Sequence, residues 1–244
     1  MIESGQRGVL LVTGTGTGVG KTIVTAAIAA LARAAGQRVA VVKLAQTGVH
    51  DGPGSDVPDL ETVTRLSGVT DTHELARFPD PLSPEAAARL SGLPPVNFAR
   101  AAEVVDGLAA NRDLVLVEGA GGLLVRYDAV GATFADLAGV LKMQGLDAPA
   151  LVVTTAGLGT LNHTALTLEA LAARKITCAG VVVGSWPDQP GLAERANLTD
   201  LAVVAGGPLA GVLSQGAGAL DRQAFLAVAT AGLVPSLGGT LGGR

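Results

Sequence analysis

The stretch Gly14-Thr-Gly-Thr-Gly-Val-Gly-Lys21-Thr22 decides the fold. An apolar, β-branched run from Gly8 to Thr13 precedes it and predicts a buried strand. An Ala-rich run from Ile23 to Ala35, ended by a glycine, follows it and predicts a helix. A glycine-rich turn between a strand and a helix N-terminus directs several backbone N–H groups to one place, where the helix dipole adds positive charge. The stretch therefore predicts a phosphate-binding loop, in which Lys21 reaches the terminal phosphates and Thr22 binds Mg²⁺.

The spacing of this loop departs from the common pattern G-x-x-x-x-G-K-[ST], which requires glycine where the chain has Thr15. The glycine stands one place earlier, at Gly14, so the loop is one residue longer. The alternative is an ordinary glycine-rich turn. Because Gly20-Lys21-Thr22 at a strand-to-helix junction is hard to obtain by chance, we predict that the loop binds a nucleotide.

Composition and charge exclude several classes of protein. The 244 residues are 48% apolar, which suffices for a sizeable core in one α/β domain or two small ones. The formal net charge is −4 and no basic run occurs, so we predict no nucleic-acid partner. No apolar run approaches the roughly 18 residues of a membrane-spanning helix, and residues 1–7 lack the apolar core of a signal peptide. With a single cysteine, Cys178, which we expect to be buried, these features predict a cytoplasmic protein without a membrane partner.

Strand-like and helix-like segments alternate along the chain. Strands are predicted at Gly8–Thr13, Val39–Leu44, Leu114–Glu118, Ala150–Thr155, Cys178–Val183 and Leu209–Leu213. Helices are predicted at Lys21–Ala35, Asp59–Ser67, Pro84–Ser91, Phe98–Ala110, Thr133–Leu141, Leu161–Arg174, Gly191–Leu201 and Asp221–Ala231. This alternation predicts an α/β fold, with a mostly parallel sheet, helices on both faces, and ligands beyond the carboxyl ends of the strands. We expect one domain over residues 1–244, with a flexible leader at 1–7 and a flexible tail at 238–244.

Charged residues stand where predicted strands end. The second strand ends at Lys43, whose ammonium group needs an anion or solvent, and the neighbouring phosphate loop favours the anion. Another apolar run ends in Glu118, and beside a phosphate loop such a carboxylate normally faces the metal ion, because an unpaired buried Glu is costly. Asp59 stands at a predicted helix start. Its carboxylate either caps helix N–H groups, which local sequence favours, or completes a Mg²⁺ shell, with Asp56 as a competitor.

A second glycine turn, Ala156-Gly-Leu-Gly159-Thr160-Leu161-Asn162-His163, joins a predicted strand to a helix. Its backbone N–H groups can bind a second anion, although Asn162 can instead serve only as a helix N-cap. We give His163 no catalytic role, because a cationic His is disfavoured at a helix N-terminus. The three His residues and the one Cys lack the spacing of metal ligands.

Taken together, these motifs resemble those of the dethiobiotin synthetase family, from Val9 to about Trp186. The family's long phosphate loop, T-G-T-x-T-x-V-G-K-T, matches Thr13 to Thr22 and accounts for the unusual spacing. Its V-E-G-A-G-G matches Val117 to Gly122, and its G-x-x-N-H matches Gly159 to His163. Its V-K-P-V-x-[ST]-G is met only partly, by Val42 to Gly48. The resemblance implies the fold of the P-loop NTPases.

The resemblance also implies a reaction. An ATP- and Mg²⁺-dependent ligase of biotin biosynthesis would convert 7,8-diaminononanoate (diaminopelargonate) and CO₂ or bicarbonate into dethiobiotin. One amine captures CO₂ as a carbamate, and the carbamate attacks the γ-phosphate to give a carbamic–phosphoric anhydride. The second amine then closes the cyclic urea, and ADP and phosphate are released. In the family the second glycine turn belongs to the neighbouring subunit, so a homodimer is implied.

The same resemblance gives roles to residues of this chain. Catalysis would fall to Lys21, Lys43 and Thr17, and binding of Mg²⁺ to Thr22, Asp59 and Glu118. The nucleotide would contact Gly16, Thr17, Gly18, Val19, Gly20, Lys21, Thr22, Gly184 and Ser185. The substrate would contact Lys43, Thr47, Gly159, Thr160, Leu161 and Asn162, the last four through backbone N–H groups that face its carboxylate.

The chain departs from the family pattern at two places. The proline after Lys43 is replaced by Leu44, so we expect Lys43 to be less rigidly placed. Many members read adenine with an Asn-Asp pair after the fifth strand, where this chain has Gly184-Ser185-Trp186. We hypothesise relaxed nucleotide choice, with CTP or other triphosphates accepted alongside ATP. Trp186 either stacks on a base or packs at the rim.

Three alternative functions share some of these features. A partition-type ATPase has this type of sheet and loop, but Gly16 replaces its signature lysine and no basic or amphipathic C-terminal helix is expected. An amide-forming ligase of cobalamin synthesis has related motifs, but its glutaminase domain has no room in this chain. The missing proline and the missing Asn also leave an inactive nucleotide-binding homologue as an alternative.

Overall fold

The computed structural model describes residues 8–50, 52 and 55–242. Within this range a seven-stranded sheet forms the centre of the fold and a two-stranded sheet accompanies it. The strands are β1 (Gly8–Gly14), β2 (Val39–Lys43), β3 (Gln46–Thr47), β4 (Thr72–Glu74), β5 (Arg77–Phe78), β6 (Leu114–Glu118), β7 (Ala150–Thr154), β8 (Cys178–Trp186) and β9 (Gly211–Ser214). The large sheet has the order β4-β2-β6-β1-β7-β8-β9, β3 pairs with β5, and all these pairs are parallel.

Helices connect these strands. They are α1 (Lys21–Ala34), α2 (Asp59–Ser67), α3 (Pro84–Ser91), α4 (Phe98–Ala109), α5 (Phe134–Met143), α6 (Thr160–Ala173), α7 (Leu192–Val204) and α8 (Arg222–Gly232). Parallel neighbours require crossover connections, and the connecting helices cover both faces of the sheet.

The core consists of two large apolar layers, one on each face of the sheet. Successive residues of β1 alternate between them, so that Val9 and Leu11 belong to one layer and Leu10 and Val12 to the other. All seven residues of β1 are buried, which explains its uninterrupted apolar run. Buried polar side chains stand instead at or near the carboxyl ends of strands, at Thr13, Lys43, Glu118 and Thr154. These polar side chains therefore lie together at the carboxyl ends of the strands.

The predicted α/β fold with a mostly parallel sheet is confirmed. Every predicted strand and helix is present, with ends that differ by three residues or fewer. Strands β3, β4 and β5 were not predicted, because two or three residues are too few to show a periodic pattern. Strand β8 also runs to Trp186 rather than to Val183, so Gly184 and Ser185 are strand residues.

The prediction that Cys178 is buried is wrong. The thiol-bearing residue is exposed at the start of β8, and burial of this strand begins only at Val181. The first residues of this apolar run are exposed and its later residues are buried. The sequence of the run does not show where burial begins.

The segment predicted as a flexible tail, 238–244, packs against α8 over the part that the structure describes. Backbone N–H groups of Gly239, Thr240 and Leu241 donate to carbonyl groups of α8 and the segment after it, at 2.7 to 3.1 Å. Gly239 lies so close to the Leu233 carbonyl oxygen that a Cβ atom would stand 2.0 Å from it, so glycine here permits close packing. Residues 243 and 244, and the predicted leader at 1–7, lie outside the described residues.

Candidate active site

The predicted phosphate loop joins β1 directly to α1. Its glycines have distinct uses, since Gly18 and Gly20 adopt positive φ angles of 72° and 94°. A Cβ atom at Gly14 would stand 2.7 Å from a methyl group of Val19, whereas one at Gly16 would meet nothing within 4 Å. The early glycine therefore lets Val19, which is buried, pack under the loop.

Lys21 folds back over this loop. Its Nζ donates to the Gly16 carbonyl at 2.9 Å, and only 7% of the residue is exposed. Burial and the nearby Lys43 ammonium lower the pKa of Lys21 to about 8, against the opposing effect of the Glu118 and Asp59 carboxylates. This cation is poorly compensated within the chain, which is what a binder of phosphate anions needs.

Lys43 lies at the centre of a charged cluster. Its Nζ stands 2.7 Å from Glu118 Oε1 and 2.5 Å from Asp59 Oδ2. The Thr22 hydroxyl lies 2.9 Å from Asp59 Oδ1 and 3.0 Å from Glu118 Oε1. We call Thr22, Lys43, Asp59 and Glu118 the charged cluster. It brings together the ends of β2 and β6 and the starts of α1 and α2. Asp59 and Glu118 lie 37 and 96 residues from Thr22 in the chain.

The charges in this cluster are stabilised by one another. Burial would lower the pKa of Lys43, but the carboxylates of Glu118 and Asp59 outweigh burial and raise the pKa above its ordinary value. Burial likewise opposes ionisation of Asp59, but Lys43 and the Thr22 hydroxyl hold the pKa of that carboxyl below its ordinary value. Lys43 and Asp59 are therefore charged at neutral pH, although only 4% of the Lys43 side chain is exposed.

Asp59 was interpreted from local sequence as a helix cap, and that interpretation is wrong. Asp59 is the first residue of α2, and its carboxylate oxygens contact Thr22 and Lys43. Asp56 lines the same cavity as an exposed residue. Two carboxylates and a hydroxyl beside a phosphate loop suit Mg²⁺, which takes oxygen ligands and usually completes its shell with phosphate and water. Among the described residues, no group of three or more His, Cys, Asp or Glu side chains could hold a metal ion by itself.

One cavity of about 450 Å³ contains most of the predicted side chains. Its wall includes Thr17, Gly18, Gly20, Lys21, Thr22, Lys43, Thr47, Asp56, Asp59 and Glu118. The predicted residues outside its wall are Gly16, Val19, Gly184, Ser185, Gly159, Thr160, Leu161 and Asn162.

Gly184 packs beneath the phosphate loop. A Cβ atom at this position would stand 2.1 Å from the Val19 carbonyl oxygen and 2.7 Å from a methyl group of Val153. The neighbouring Ser185 is exposed, and Trp186 packs at the rim against the small cluster of Ala156, Val183 and Leu201. The structure therefore gives Gly184 a packing function that the sequence did not suggest.

The second glycine turn follows β7 at the same edge of the sheet. Gly159, at φ 89°, is the N-cap of α6, so the interpretation of Asn162 as the N-cap is wrong. The carbonyl groups of the turn are held from inside. The Thr160 hydroxyl donates to the Thr155 carbonyl at 2.6 Å, and the buried Asn197 amide donates to the carbonyls of Ala156 and Gly157 at 2.8 and 3.0 Å. The opposite side of the turn, with Leu158 90% exposed, faces outward.

Comparison with known proteins identifies the family. A model described as an AAA domain matches residues 8–218. The ATP-dependent dethiobiotin synthetase BioD of Frankia casuarinae is 64% identical, over 95% of this chain and 94% of that protein. The protein of the same name from Rhodococcus jostii is 58% identical, over 91% of this chain and 93% of that protein. The chain belongs to the ATP-dependent dethiobiotin synthetase family.

Solved structures that resemble this family member include two MinD proteins. The septum site-determining protein MinD of Pyrococcus horikoshii, complexed with Mg-ADP, has a TM-score of 0.53 and 16% identity, with 91% of this chain and 95% of that chain covered. The cell division ATPase MinD of Pyrococcus furiosus has a TM-score of 0.51 and 19% identity, with 91% and 97% covered. At this identity the likeness shows the P-loop fold alone. Within the described residues, no helix is long and apolar enough to cross a membrane.

Two positioning residues of this dethiobiotin synthetase family member were missed from sequence. Gln46 Oε1 accepts the Asp59 N–H at 3.0 Å, so Gln46 caps α2, whose own N-cap residue is Pro58. The buried Tyr127 hydroxyl accepts the Ala120 N–H at 2.6 Å and holds the turn after Glu118, and burial raises the pKa of Tyr127 to about 12. Both partners are backbone groups, which leave no signal in the sequence.

Proposed function

We propose that this chain is an ATP-dependent dethiobiotin synthetase that converts 7,8-diaminononanoate, CO₂ and ATP into dethiobiotin, ADP and phosphate. It is a ligase that forms carbon–nitrogen bonds. The observation that carries the proposal is the charged cluster beside the phosphate loop. Its buried lysine can stabilise a carbamate next to the γ-phosphate, and its two carboxylates can bind Mg²⁺. We also propose one domain, since β1 and β9, from opposite ends of the described chain, share a sheet.

The reaction proceeds in three steps whose atoms balance. The lone pair of one substrate amine attacks the carbon of CO₂, and loss of a proton leaves a carbamate. A carbamate oxygen attacks the γ-phosphorus, the bond to ADP breaks, and a carbamic–phosphoric anhydride forms. The second amine attacks the anhydride carbonyl, the carbon–oxygen bond breaks with phosphate as the leaving group, and the attacking nitrogen loses a proton as the cyclic urea closes. Charge stabilisation and alignment supply most of the catalysis.

The predicted site residues that line the cavity have separate tasks in these steps. Lys21 binds the β- and γ-phosphates, and Thr17 borders the γ-phosphate. Lys43 stabilises the negative charge of the carbamate and of the anhydride, and Thr47 hydrogen-bonds the diamine or the carbamate. Mg²⁺ held by Thr22, Asp59 and Glu118 would neutralise charge on the phosphate oxygens.

The second glycine turn binds the substrate carboxylate of the partner subunit. Its carbonyl groups accept hydrogen bonds on the inner side, and the dipole of the helix start favours an anion on the outer side. The Thr160 N–H also donates to the Gly157 carbonyl at 3.3 Å, so the N–H groups of Gly159, Leu161 and Asn162 carry most of this proposal. In helix α6 only Thr160, Thr164 and Leu171 are buried within the chain, and the apolar side chains of Leu166 in the helix and Leu158 just before it are exposed. Such a helix needs an apolar partner, which supports a homodimer in which α6 and the turn reach the neighbouring cavity.

Nucleotide choice is relaxed, with CTP and other triphosphates accepted alongside ATP. Gly184 offers no side chain, and Ser185 has no amide to match an adenine edge. Equilibrium titrations with ATP, CTP and GTP test this. Binding of CTP and GTP at least about a hundredfold weaker than that of ATP would contradict it.

The decisive experiment measures phosphate release with Mg²⁺-ATP and bicarbonate, with and without 7,8-diaminononanoate, and detects the cyclic urea by mass. Release that requires the diamine, with one urea formed for each phosphate, is the expected result. Release indifferent to the diamine would instead indicate a switch ATPase of the same fold. Tight nucleotide binding without release would indicate an inactive homologue, and Leu44→Pro would then be the first reversion to examine.

A further inference from the structure

The carboxyl end of β7 carries a cluster of buried hydroxyl groups that the proposed mechanism does not use. Thr154 is fully buried, as is Thr164, and Thr160 is 1% exposed. Thr154 Oγ1 lies 2.7 Å from Thr160 Oγ1, 2.9 Å from Thr164 Oγ1 and 3.3 Å from Thr15 Oγ1. A single hydroxyl group thus contacts the phosphate loop, through Thr15, and the first turn of α6.

Counting protons fixes the direction of these bonds. A hydroxyl group has one proton to donate and two lone pairs to accept with. Thr160 donates its proton to the Thr155 carbonyl at 2.6 Å, so the 2.7 Å contact requires Thr154 to be the donor to Thr160. Thr154 then has no proton left, and both Thr15 and Thr164 must donate to it. The hydrogen-bonding capacity of Thr154 is therefore full.

The resulting chain runs from Thr15 through Thr154 and Thr160 to the Thr155 carbonyl. It connects the loop proposed to hold the nucleotide with the turn proposed to hold the substrate carboxylate. The backbone reinforces the first link, because the Thr15 N–H donates to the Val153 carbonyl at 2.9 Å. A shift of the Thr154 hydroxyl would move both anion-binding segments, since each depends on it.

We propose that Thr154 is a positioning residue that fixes the phosphate loop and the second glycine turn relative to each other. This proposal rests on the proposed function, in which the second glycine turn binds the carboxylate of the diamine. In the homodimer the two segments serve different sites, so Thr154 fixes the geometry of a chain's own nucleotide site and of the site that it completes in its partner.

The test compares Thr154→Val, Thr154→Ser and a matched control, Thr25→Val. Valine keeps the shape of threonine and removes the hydroxyl, whereas serine keeps the hydroxyl. Thr25 is also fully buried, in α1, but its hydroxyl has no hydrogen-bond partner among the described residues, so Thr25→Val removes a hydroxyl that holds nothing in place. Each variant is measured for the KM of the diamine, for kcat, for the Kd of ATP and for thermal unfolding.

We expect Thr154→Val to raise both the KM of the diamine and the Kd of ATP by about fivefold to tenfold, the scale of one buried hydrogen bond. Thr154→Ser should restore both to within about twofold of the wild type, and Thr25→Val should leave both unchanged. A Thr154→Val protein that unfolds earlier but keeps the KM and Kd of the Thr25→Val control would overturn the proposal. If the wild type shows no diamine-dependent phosphate release, the proposed function fails by itself, and the Kd of ATP still decides whether Thr154 positions the loop.

Discussion

The two halves of the sheet edge carry different kinds of site. At the ends of β1, β2 and β6, charged side chains are buried and paired with one another inside the chain. At the ends of β7 and β8 the sequence offers glycines, threonines and an outward-facing turn, with Leu158 and Leu166 exposed. The first half is a side-chain site that one chain completes. The second half offers backbone N–H groups, and in the proposed function it binds substrate only when its surroundings hold it in place and a partner subunit faces it.

Lys43→Ala is the largest change expected in the side-chain half. Loss of the ammonium removes the charge that faces the carbamate, so kcat should fall by about a hundredfold to a thousandfold. The Kd of Mg²⁺-ATP should change by no more than about threefold, because Lys21 and the loop remain. Steady-state kinetics and equilibrium titration separate the two quantities, with the exposed Lys142→Ala as the control.

The same substitution tests whether this half is complete within the chain. Without Lys43, Glu118, which is 1% exposed, loses its ion-pair partner and keeps only the longer-range attraction of Lys21. In metal-free buffer the free energy of unfolding should fall by about 3 kcal/mol, and Mg²⁺ should restore part of it if the carboxylates bind the ion. Wild-type turnover of Lys43→Ala would mean that Lys43 does not stabilise the carbamate.

The side-chain half was the more predictable from sequence, and the reason is physical. A charge at the end of a buried apolar run must find a partner, so the sequence predicted an anion beside Lys43 and a metal ion beside Glu118. In the structure the two side chains also pair with each other. Asp59 was judged wrongly because local sequence shows a helix start but not which side chains approach it. Gln46 left no signal, because it holds an N–H group 13 residues away, and Thr154 left none, because its contacts depend on three elements meeting.

Gly184→Asn examines the backbone half and separates two interpretations of one residue. By family analogy an Asn here would restore selectivity for adenine. In this structure its Cβ would stand 2.1 Å from the Val19 carbonyl oxygen, so the phosphate loop would have to move. Overpacking of this kind costs about 1–3 kcal/mol, and we therefore expect the Kd values of ATP, CTP and GTP to rise together by about tenfold to a hundredfold.

The control for this prediction is Ser185→Asp, which completes the second position of the family pair at an exposed residue that the loop does not cover. It should leave the Kd of ATP within about threefold of the wild type. Selective strengthening of ATP binding by Gly184→Asn would mean that the loop accommodates the side chain, and that Gly184 sets base preference rather than packing.

Gln46→Ala gives the smallest expected effect and shows where the two kinds of site overlap. Gln46 binds no ligand in the proposed mechanism, but its amide oxygen accepts the Asp59 N–H and its amide nitrogen donates to the Thr47 carbonyl. A side chain from β3 thus holds the start of α2, and with it one carboxylate of the charged cluster. Its removal should raise the Mg²⁺ concentration needed for half-maximal turnover by about threefold to tenfold, the value of one hydrogen bond. The metal-free Kd of ATP should not change, because Lys21 and the loop do not depend on Gln46.

Turnover measured across a series of Mg²⁺ concentrations tests this prediction, and Gln46→Glu, which keeps the hydrogen-bond acceptor, should recover part of the loss. Equal Mg²⁺ dependence in the wild type and Gln46→Ala would mean that Thr22 and Lys43 alone fix Asp59, and that the side-chain half needs no backbone support.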